Sequence, residues 1–224
     1  MKLVLATSNK GKVKEIKYIY DDMDVVAYSD LIEPFEIEEN GLTFKENALI
    51  KARAVYEALH DENLIVIADD SGISVDALGG EPGIYSARYA GVDASDKDNL
   101  NKLVESLKEK GLTSSKAHYT ASIAIVTKNA EFTIHGWMYG SVITTPRGEN
   151  GFGYDPIFMP EGYDTTLGEM DGEIKKSLSH RSQALKHTKS VLHSISKLHN
   201  SQIFFIRSFD LNGITRFQDV VKSL

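Results

Sequence analysis

The protein has 224 residues, with 32 acidic and 25 basic side chains, a formal net charge of −7 and no cysteine. The lack of cysteine excludes disulfides, thiolate metal sites and a cysteine nucleophile, and it fits the reducing cytoplasm, where we expect the protein to act. The acidic charge argues against binding long nucleic acids, which requires a broad basic surface, and no apolar run approaches the roughly 20 residues that cross a bilayer.

The first part of the chain predicts alternating strands and helices. Residues 2–6 are apolar and predict a strand buried on both faces, residues 10–20 show helical spacing, and residues 24–28 predict a second short strand. After an acidic loop, a capping pattern and apolar spacing predict a helix over 43–60. An apolar strand over 64–72 then ends in two acidic residues.

The second part of the chain changes character. Residues 96–110 predict an amphipathic helix that a glycine ends. Two strands, over 118–127 and 131–144, predict a hairpin with a longer loop. The segment "GFGYDPIF" leads into another strand, and residues 179–198 predict a helix.

This order of elements favours a single α/β domain around one mixed sheet, with strand–helix–strand first and hairpins later. We expect the domain to span residues 1–199. Residues 200–224 read as an appended extension, with a short strand and a short helix, whose role the sequence leaves open. The extension could add an edge strand, or it could be loosely packed.

Cationic side chains crowd the start of the first predicted helix. Lys10, Lys12 and Lys14 stand in its first turns, where the partial positive charge of the free amides disfavours cations. Gly11 lets the backbone approach a ligand, and the free amides could hold a phosphate. Alternatively, a polar residue before the helix simply caps it and the lysines are solvated, because the spacing is not that of a Walker P-loop.

A second helix start breaks the same rule. Ser179 is a good N-cap, yet His180 and Arg181 place cationic side chains in the first turn, and Lys175 and Lys176 stand just upstream. Two such helix starts in a net acidic protein predict one anionic ligand between them. The alternative is a surface ion pair of Arg181, which contributes little to stability.

Two adjacent acids follow the third predicted strand. Neighbouring side chains on a strand point to opposite faces, so we expect one of Asp69 and Asp70 to enter a crevice and the other to bind backbone or solvent. The alternative is an Asx turn completed by Ser71 and Gly72. Glu39 lies in the acidic loop and, taken alone, is better explained as a solvated charge.

Aromatic residues and histidines give weaker signals. Phe152 lies between glycines and could stack on a nucleobase, although such a residue more often belongs to the core. Trp137 and the tyrosines near it are interpreted as core. The histidines show no zinc spacing, and a GxSxG nucleophile elbow is absent from the sequence.

Five segments carry a family resemblance: "LATSNKGKVKEI", "EENGLTFKENA", "ADDSGISVDALGGEPGIYSARYAG", "GFGYDPIF" and "SHRSQALK". In this order they resemble the noncanonical purine nucleoside triphosphate pyrophosphatases, the inosine/xanthosine triphosphate pyrophosphatase family, over about residues 2–198. The resemblance implies an elongated mixed β-sheet with flanking helices, two lobes around a central nucleotide-binding cleft, and a homodimer. It also implies Mg²⁺-dependent hydrolysis of ITP, dITP and XTP to the monophosphate and pyrophosphate, which cleanses the nucleotide pool and prevents incorporation into DNA and RNA.

The resemblance also implies roles for individual residues. Glu39 and Asp70 would bind Mg²⁺, and Asp70 would orient the attacking water as the catalytic residue. Arg181 or the helix-start amides would donate to the purine O6, which leaves adenine mismatched. The residues implied in substrate binding are Thr7, Ser8, Asn9, Lys10, Gly11, Lys12, Lys51, Ser71, Phe152, Gly153, Tyr154, Asp155, Lys175, His180 and Arg181.

Two other functions stay open on the same residues. One is a triphosphate pyrophosphatase with a different base preference, for example for modified pyrimidines. The other is a nucleotide-binding sensor without catalysis, which Glu39 and Asp70 argue against, because binding alone needs no water-orienting acid. A simple interaction domain is rejected, since it does not explain two cationic helix starts.

Overall fold

The computed structural model of the protein describes residues 2–202, with side chains described as far as residue 195. Within these residues, six strands form one mixed sheet in the order β2-β1-β3-β4-β5-β6. The strands are β1 (Lys2–Leu5), β2 (Asp24–Ala27), β3 (Leu64–Val75), β4 (Ser114–Val126), β5 (Glu131–Ile143) and β6 (Phe158–Pro160). The helices are α1 (Lys10–Ile19), α2 (Phe44–Leu59), α3 (Asp96–Glu109), α4 (Gly172–Leu178) and α5 (His180–Gln202). The predicted α/β fold with flanking helices is therefore confirmed.

The topology places a switch point, and with it a candidate crevice, at the carboxyl end of β1 beside the middle of β3. β1 is parallel to both β2 and β3, whereas β3, β4 and β5 form long antiparallel ladders. The chain passes from β1 to β2 on one side and then to β3 on the other, so its direction across the sheet reverses between β1 and β3. In open α/β sheets, ligands bind at such a switch point.

Two clusters of buried apolar side chains flank this crevice along β3. One cluster joins α2 to residues 64–68 of β3 and to the neighbouring strands. Another joins α3 to Ile73 and Val75 of β3, to β5 and to Phe158. Residues 69–71 lie between the two clusters, which supports the predicted two-lobed arrangement around a central site.

β3 is longer than predicted. The sequence predicts that the strand ends at the two acids, but it continues to Val75, with Asp69 opposite Ile123 and Asp70 opposite Ser122 in the ladder with β4. The Asx-turn interpretation is therefore wrong. The strand continues because β4 supplies a long antiparallel partner, and this pairing is invisible to local sequence patterns.

The ends of α1, α2 and α3 agree with their predicted limits to within one residue, whereas α5 runs to Gln202 instead of 198 and α4 was not predicted. Thr43 caps α2 by accepting a hydrogen bond from the amide of Glu46, and α3 ends before Gly111, which has a φ of +72°. α4 has only seven residues and is capped by Asp171, whose carboxylate accepts from the amide of Glu173. Seven residues are too few for helical periodicity to be recognised.

The prediction that Trp137 belongs to the core is wrong. Trp137 and Tyr139 are 44% and 57% exposed, on the face of β5 opposite the buried Met138. Each contacts a histidine of the same face: Trp137 stacks on His135, and the ring of Tyr139 is tilted by 36° to that of His118. The alternation of a strand with one solvated face explains this pattern.

The C-terminal extension predicted from residue 200 falls almost entirely outside the described residues. Its first three residues belong to α5, and the predicted short strand and helix lie outside the described part. In the part of the chain that the structure describes, no helix is long and apolar enough to cross a membrane.

Candidate active site

Asp69 is buried and pairs with cations from both helix starts. Its Oδ1 lies 3.0 Å from Nζ of Lys12 in α1, and its Oδ2 accepts from Nε of Arg181 in α5 at 3.1 Å. Burial alone would raise the pKa of this carboxyl, but the charges of Lys12 and Arg181 outweigh burial and hold the pKa well below its usual range. The sequence predicted an anionic ligand between these helix starts; in the structure, Asp69 of the chain itself pairs with cations from both, and the ligand stays a prediction.

Arg181 is held by three partners and is not a surface residue. Its Nη2 donates to Oγ of Ser71 at 3.0 Å, and Nη1 lies 3.7 Å from the carboxylate of Glu15. Its side chain is 13% exposed, so the surface ion-pair interpretation is wrong. Burial works against its charge, but Asp69 and Glu15 outweigh burial and raise its pKa.

Asp70 joins a second ionic cluster, with Glu39 and Lys51. Nζ of Lys51 lies 3.0 Å from Oδ1 of Asp70 and 2.9 Å from Oε2 of Glu39. Burial raises the pKa of Asp70, with Glu39 and Asp69 adding to that effect and Lys51 opposing it. For Lys51, Asp70 and Glu39 outweigh burial and raise the pKa. The two predicted metal ligands are thus brought to the same lysine, and Glu39 is not a merely solvated charge.

This cluster has the chemistry of a site for a hard cation. Its two carboxylates and one ammonium leave a net negative charge. Within the described residues, Oδ2 of Asp70 is buried and has no hydrogen-bond partner. A buried carboxylate oxygen without a partner is unfavourable unless a ligand completes it. Mg²⁺ commonly binds one or two carboxylates together with phosphate oxygens and water, so the residues present fit this ion.

The loop before α1 is closed by its own side chains. Oδ1 of Asn9 accepts from the amides of Gly11 at 2.9 Å and Lys12 at 3.1 Å, and Thr7 Oγ1 accepts from the amide of Asn9. The capping interpretation of this residue is therefore confirmed. Two amides that the sequence offered for phosphate are bound by Asn9, and the neighbouring Ser8 is exposed.

Lys10 and Lys12 point to different surroundings although both lie in the first turn of α1. Lys12 reaches the buried Asp69, whereas Lys10 is exposed and, among the described residues, forms no ion pair. Lys10 lines an open groove of about 340 Å³ beside α1, together with Lys14 and Lys17. The three predicted lysines of this helix start therefore do not act as one group.

Phe152 presents an exposed ring next to a buried ion pair. The ring is 65% exposed, and Nζ of Lys175 lies 4.9 Å from its centroid. The same ammonium forms an ion pair with the buried carboxylate of Asp155, which also accepts from the amide of Phe152 at 2.9 Å. Phe152 therefore does not belong to the core, and its stacking on a nucleobase stays a prediction.

The neighbours of Phe152 hold its loop in place. The hydroxyl of Tyr154 is part-buried and donates to the carbonyl of Ser86 at 2.7 Å, and burial raises the pKa of this tyrosine above its usual range. The amide of Gly153 donates to the carboxylate of Asp96 in α3 at 3.0 Å. Tyr154 and Gly153, which were predicted to bind substrate, thus form hydrogen bonds to other parts of the chain. These bonds hold the loop that carries the ring of Phe152.

His180 is buried and uncharged, so the prediction that it adds a cation is wrong. Its ring stacks on Tyr119 with 4.8 Å between centroids and 13° between planes. Burial, assisted by the charge of Arg181, lowers its pKa to about 3. α5 can begin this close to the sheet because position 136 is glycine; a Cβ on Gly136 would lie 2.1 Å from the carbonyl oxygen of His180.

The structure brings the predicted residues together in three groups. The first contains Lys12, Ser71 and Arg181 around Asp69, the second contains Glu39, Lys51 and Asp70, and the third contains Phe152, Asp155 and Lys175. The first two adjoin through the peptide bond between the two acids, and the charge of Lys51 also lowers the pKa of Asp69. Among the described residues, no hydrogen bond or ion pair joins the third group to the other two.

Several known proteins are similar to this chain in sequence and in fold. A protein of Sulfurimonas denitrificans named dITP/XTP pyrophosphatase is 60% identical over 199 residues, which cover 87% of this chain and all of that protein. Its namesake in Nautilia profundicola is 58% identical over 88% of this chain and all of its own length. The solved structure of the Staphylococcus aureus Ham1 protein, 39% identical, superposes with a TM-score of 0.79 over 87% of this chain and 99% of its own.

The profile of one family covers most of the chain and takes in all three groups of residues. It matches residues 3–191 and is described as the Ham1 family. Together with the named relatives, it confirms the family resemblance predicted from the five motifs. The chain belongs to the Ham1 family.

Proposed function

We propose that the protein hydrolyses noncanonical purine nucleoside triphosphates, with ITP, dITP and XTP as substrates, to the monophosphate and pyrophosphate. The cluster of Glu39, Lys51 and Asp70 carries this proposal, because it combines two carboxylates with a cation beside a cationic helix start. The names of the related proteins support the same reaction. Removing such nucleotides from the pool prevents their incorporation into DNA and RNA.

Mg²⁺ would be held by Glu39 and Asp70 in this proposal. When bound, the ion supplies positive charge that offsets the phosphates and the charge developing in phosphoryl transfer. The fit rests on the two convergent carboxylates and on the buried Oδ2 of Asp70, which has no protein partner among the described residues.

The residues around the triphosphate position it and supply charge. Asp70 accepts a hydrogen bond from water and directs the water oxygen at the α-phosphorus. A bond forms between this oxygen and phosphorus while the water gives up a proton, which Asp70 passes to solvent; the bond from phosphorus to the α,β-bridging oxygen breaks, and pyrophosphate leaves with the electron pair. Lys12 and Lys51, which pair with carboxylates here, would exchange part of those contacts for phosphate oxygens. Such charge placed in advance is the main way proteins accelerate phosphoryl transfer.

Base recognition would use the exposed ring and the buried arginine. Phe152 would stack on the purine, because an exposed aromatic ring with one face near Lys175 leaves its other face for a base. Arg181 would donate to O6, since the amides of Gly11 and Lys12 are already bound by Asn9. Adenine carries a donor at that position and would be mismatched.

The test is pyrophosphate release by the pure protein in Mg²⁺ with ITP, XTP, dITP, GTP and ATP compared. Release from the first three, with little from the others, is the expected result. Release of single phosphate, or equal use of all five, would contradict the proposal. Nucleotide binding without turnover would favour the sensor, and preference for a modified pyrimidine triphosphate would favour the other pyrophosphatase.

The assembly and the location of the protein also belong to this proposal. A homodimer is supported by the family resemblance, and light scattering at several protein concentrations would test it. The cytoplasm is supported by the cysteine-free composition and by the proposed substrate pool. A domain of residues 1–199 followed by an extension is tested by truncation after Asn200, which should preserve turnover if the extension is loosely packed.

A further inference from the structure

Ser122 lies opposite the proposed metal ligand Asp70. The antiparallel ladder of β3 and β4 pairs these two residues directly. Directly opposed residues point to the same face of a sheet, with Cβ atoms about 4.5–5.5 Å apart. Ser122 is fully buried, so its hydroxyl has no access to bulk solvent. A serine hydroxyl is therefore enclosed beside the carboxylate of Asp70.

Both opposed side chains carry an unpaired polar atom. Within the described residues, neither Oγ of Ser122 nor Oδ2 of Asp70 has a hydrogen-bond partner, although both atoms are buried. An unpaired buried polar atom is destabilising, and alanine would fill nearly the same volume without one. Two such atoms on facing residues therefore indicate that the site has a second state, in which both atoms form hydrogen bonds or bind a ligand.

Lys51 and His135, two polar side chains on this face, have contacts of their own. Lys51 binds the other carboxylate oxygen of Asp70, Oδ1. On the opposite side of Ser122, β5 places His135, whose ring stacks on Trp137 with centroids 5.5 Å apart. The ladder thus places the carboxylate of Asp70 directly opposite this hydroxyl.

We propose that Ser122 is a positioning residue for the reaction: its hydroxyl donates to the carboxylate of Asp70 when the site holds Mg²⁺, and fixes the orientation of that carboxylate. Opposed polar residues of a ladder form side-chain hydrogen bonds of this kind. Carboxylates that bind metals are commonly oriented in this way by neighbouring donors. The inference rests on the proposed function.

The experiment compares three variants of the full-length protein. Ser122→Ala removes the hydroxyl, Ser122→Thr retains it, and Thr120→Val is the matched control. Thr120 lies on the same strand and face two residues away, but it opposes Gly72, which has no side chain. Two quantities are measured: the Mg²⁺ concentration that gives half-maximal pyrophosphate release from XTP, and the rise in unfolding temperature that Mg²⁺ causes without nucleotide.

We expect Ser122→Ala to need about 10-fold more Mg²⁺ in both measurements, the size typical of lost neighbours of metal ligands. Ser122→Thr should restore the wild-type requirement, and Thr120→Val should not change it. The unfolding temperature of metal-free Ser122→Ala should equal or exceed that of the wild type, because alanine removes a buried hydroxyl that has no partner among the described residues.

Three results would overturn the role of Ser122. They are a wild-type Mg²⁺ requirement in Ser122→Ala, an equal loss in Thr120→Val, and a fall in metal-free stability that accounts for the lost activity. Failure of the proposed function is separate, because it would appear as a wild-type protein that releases no pyrophosphate at any Mg²⁺ concentration.

Discussion

Asp69 and Asp70 are neighbours in β3, yet they bind cations on opposite faces of the sheet. Asp69 pairs with Lys12 and Arg181, whereas Asp70 pairs with Lys51. The alternation of side chains along a strand produces this division. One acid thereby fixes two helix starts, and the other remains beside a second carboxylate, where a metal can be held. The two adjacent acids therefore have different partners.

Replacing Asp69 with asparagine should strongly destabilise the fold. The change leaves the ammonium of Lys12 and the guanidinium of Arg181 without the buried anion between them. Removing one partner of a buried ion pair typically costs about 3 kcal/mol or more. Urea unfolding of Asp69→Asn and the wild type measures this difference in free energy.

The matched control for Asp69→Asn is Glu131→Gln. Glu131 forms a short ion pair with Arg53, but both side chains are well exposed. Exposed pairs contribute about 0–1 kcal/mol, so this variant should unfold almost as the wild type does. Equal losses of unfolding free energy in the two variants would show that the buried ion pairs of Asp69 stabilise the fold no more than an exposed pair does.

Replacing Asp70 with asparagine should abolish most turnover while nucleotide binding persists. Asparagine keeps the size and one oxygen but loses the charge that a metal ligand and water-orienting group requires. A loss of about 100-fold or more in kcat is expected, in the range for groups that assist proton movement. Pyrophosphate release gives kcat, and calorimetric titration with the monophosphate product gives binding. Unchanged turnover would refute the assignment of Asp70.

The fold was predictable from the sequence where local patterns carry the information. β1, β2, α1, α2 and α3 lie within one or two residues of their predicted limits, because apolar spacing and caps define them. The continuation of β3 was not predictable, because "SGISV" contains residues of weak strand preference and is paired through β4.

The site was predictable as a set of residues but not as a set of contacts. Motifs identified Glu39, Lys51 and Asp70, which are 12 and 19 residues apart and meet around one ammonium. Asp69 was missed as a partner of the helix starts, because its bond to Arg181 spans 112 residues and no local pattern encodes it. A motif shows which residue types are present and what chemistry they can perform. Which of them form ion pairs depends on the assembled sheet, which local sequence does not show.

His180 should make the protein less stable in mild acid. Its pKa falls from 6.5 to about 3 on folding, so the unfolded chain takes up the proton first as the pH falls. Stability from the neutral ring is complete above about pH 6.5 and is lost between there and pH 3, at about 1.4 kcal/mol per pH unit. Unfolding free energies at pH 7, 6 and 5 measure this slope.

The control for the acid effect is the variant His180→Gln, which cannot take up a proton. Other titrating groups are shared by the two proteins, so the difference between their slopes belongs to His180. A smaller loss of stability in the variant between pH 7 and 5 is expected. Identical slopes would mean that the ring is protonated in the folded protein and that its burial has no effect on titration.

Phe152→Ala should weaken substrate binding and leave stability unchanged. The ring is exposed, so its loss opens no cavity, but stacking on a base is worth about 1–3 kcal/mol. KM for ITP should therefore rise by about 10-fold. Phe152→Tyr keeps the ring and should behave as the wild type. Equal KM values for the alanine and tyrosine variants would remove Phe152 from base recognition.

Arg181→Ala should reduce the preference for ITP over ATP. Because this arginine is buried against Asp69 and Ser71, its loss will also lower stability, and absolute activity alone cannot report on the base. The informative quantity is the ratio of kcat/KM for the two nucleotides, measured below the unfolding temperature of the variant. Damage to the shared phosphate and metal groups lowers both values and cancels in the ratio, whereas a lost donor to O6 lowers only the value for ITP. An unchanged ratio would assign Arg181 to the fold alone and leave selection of the base to other groups.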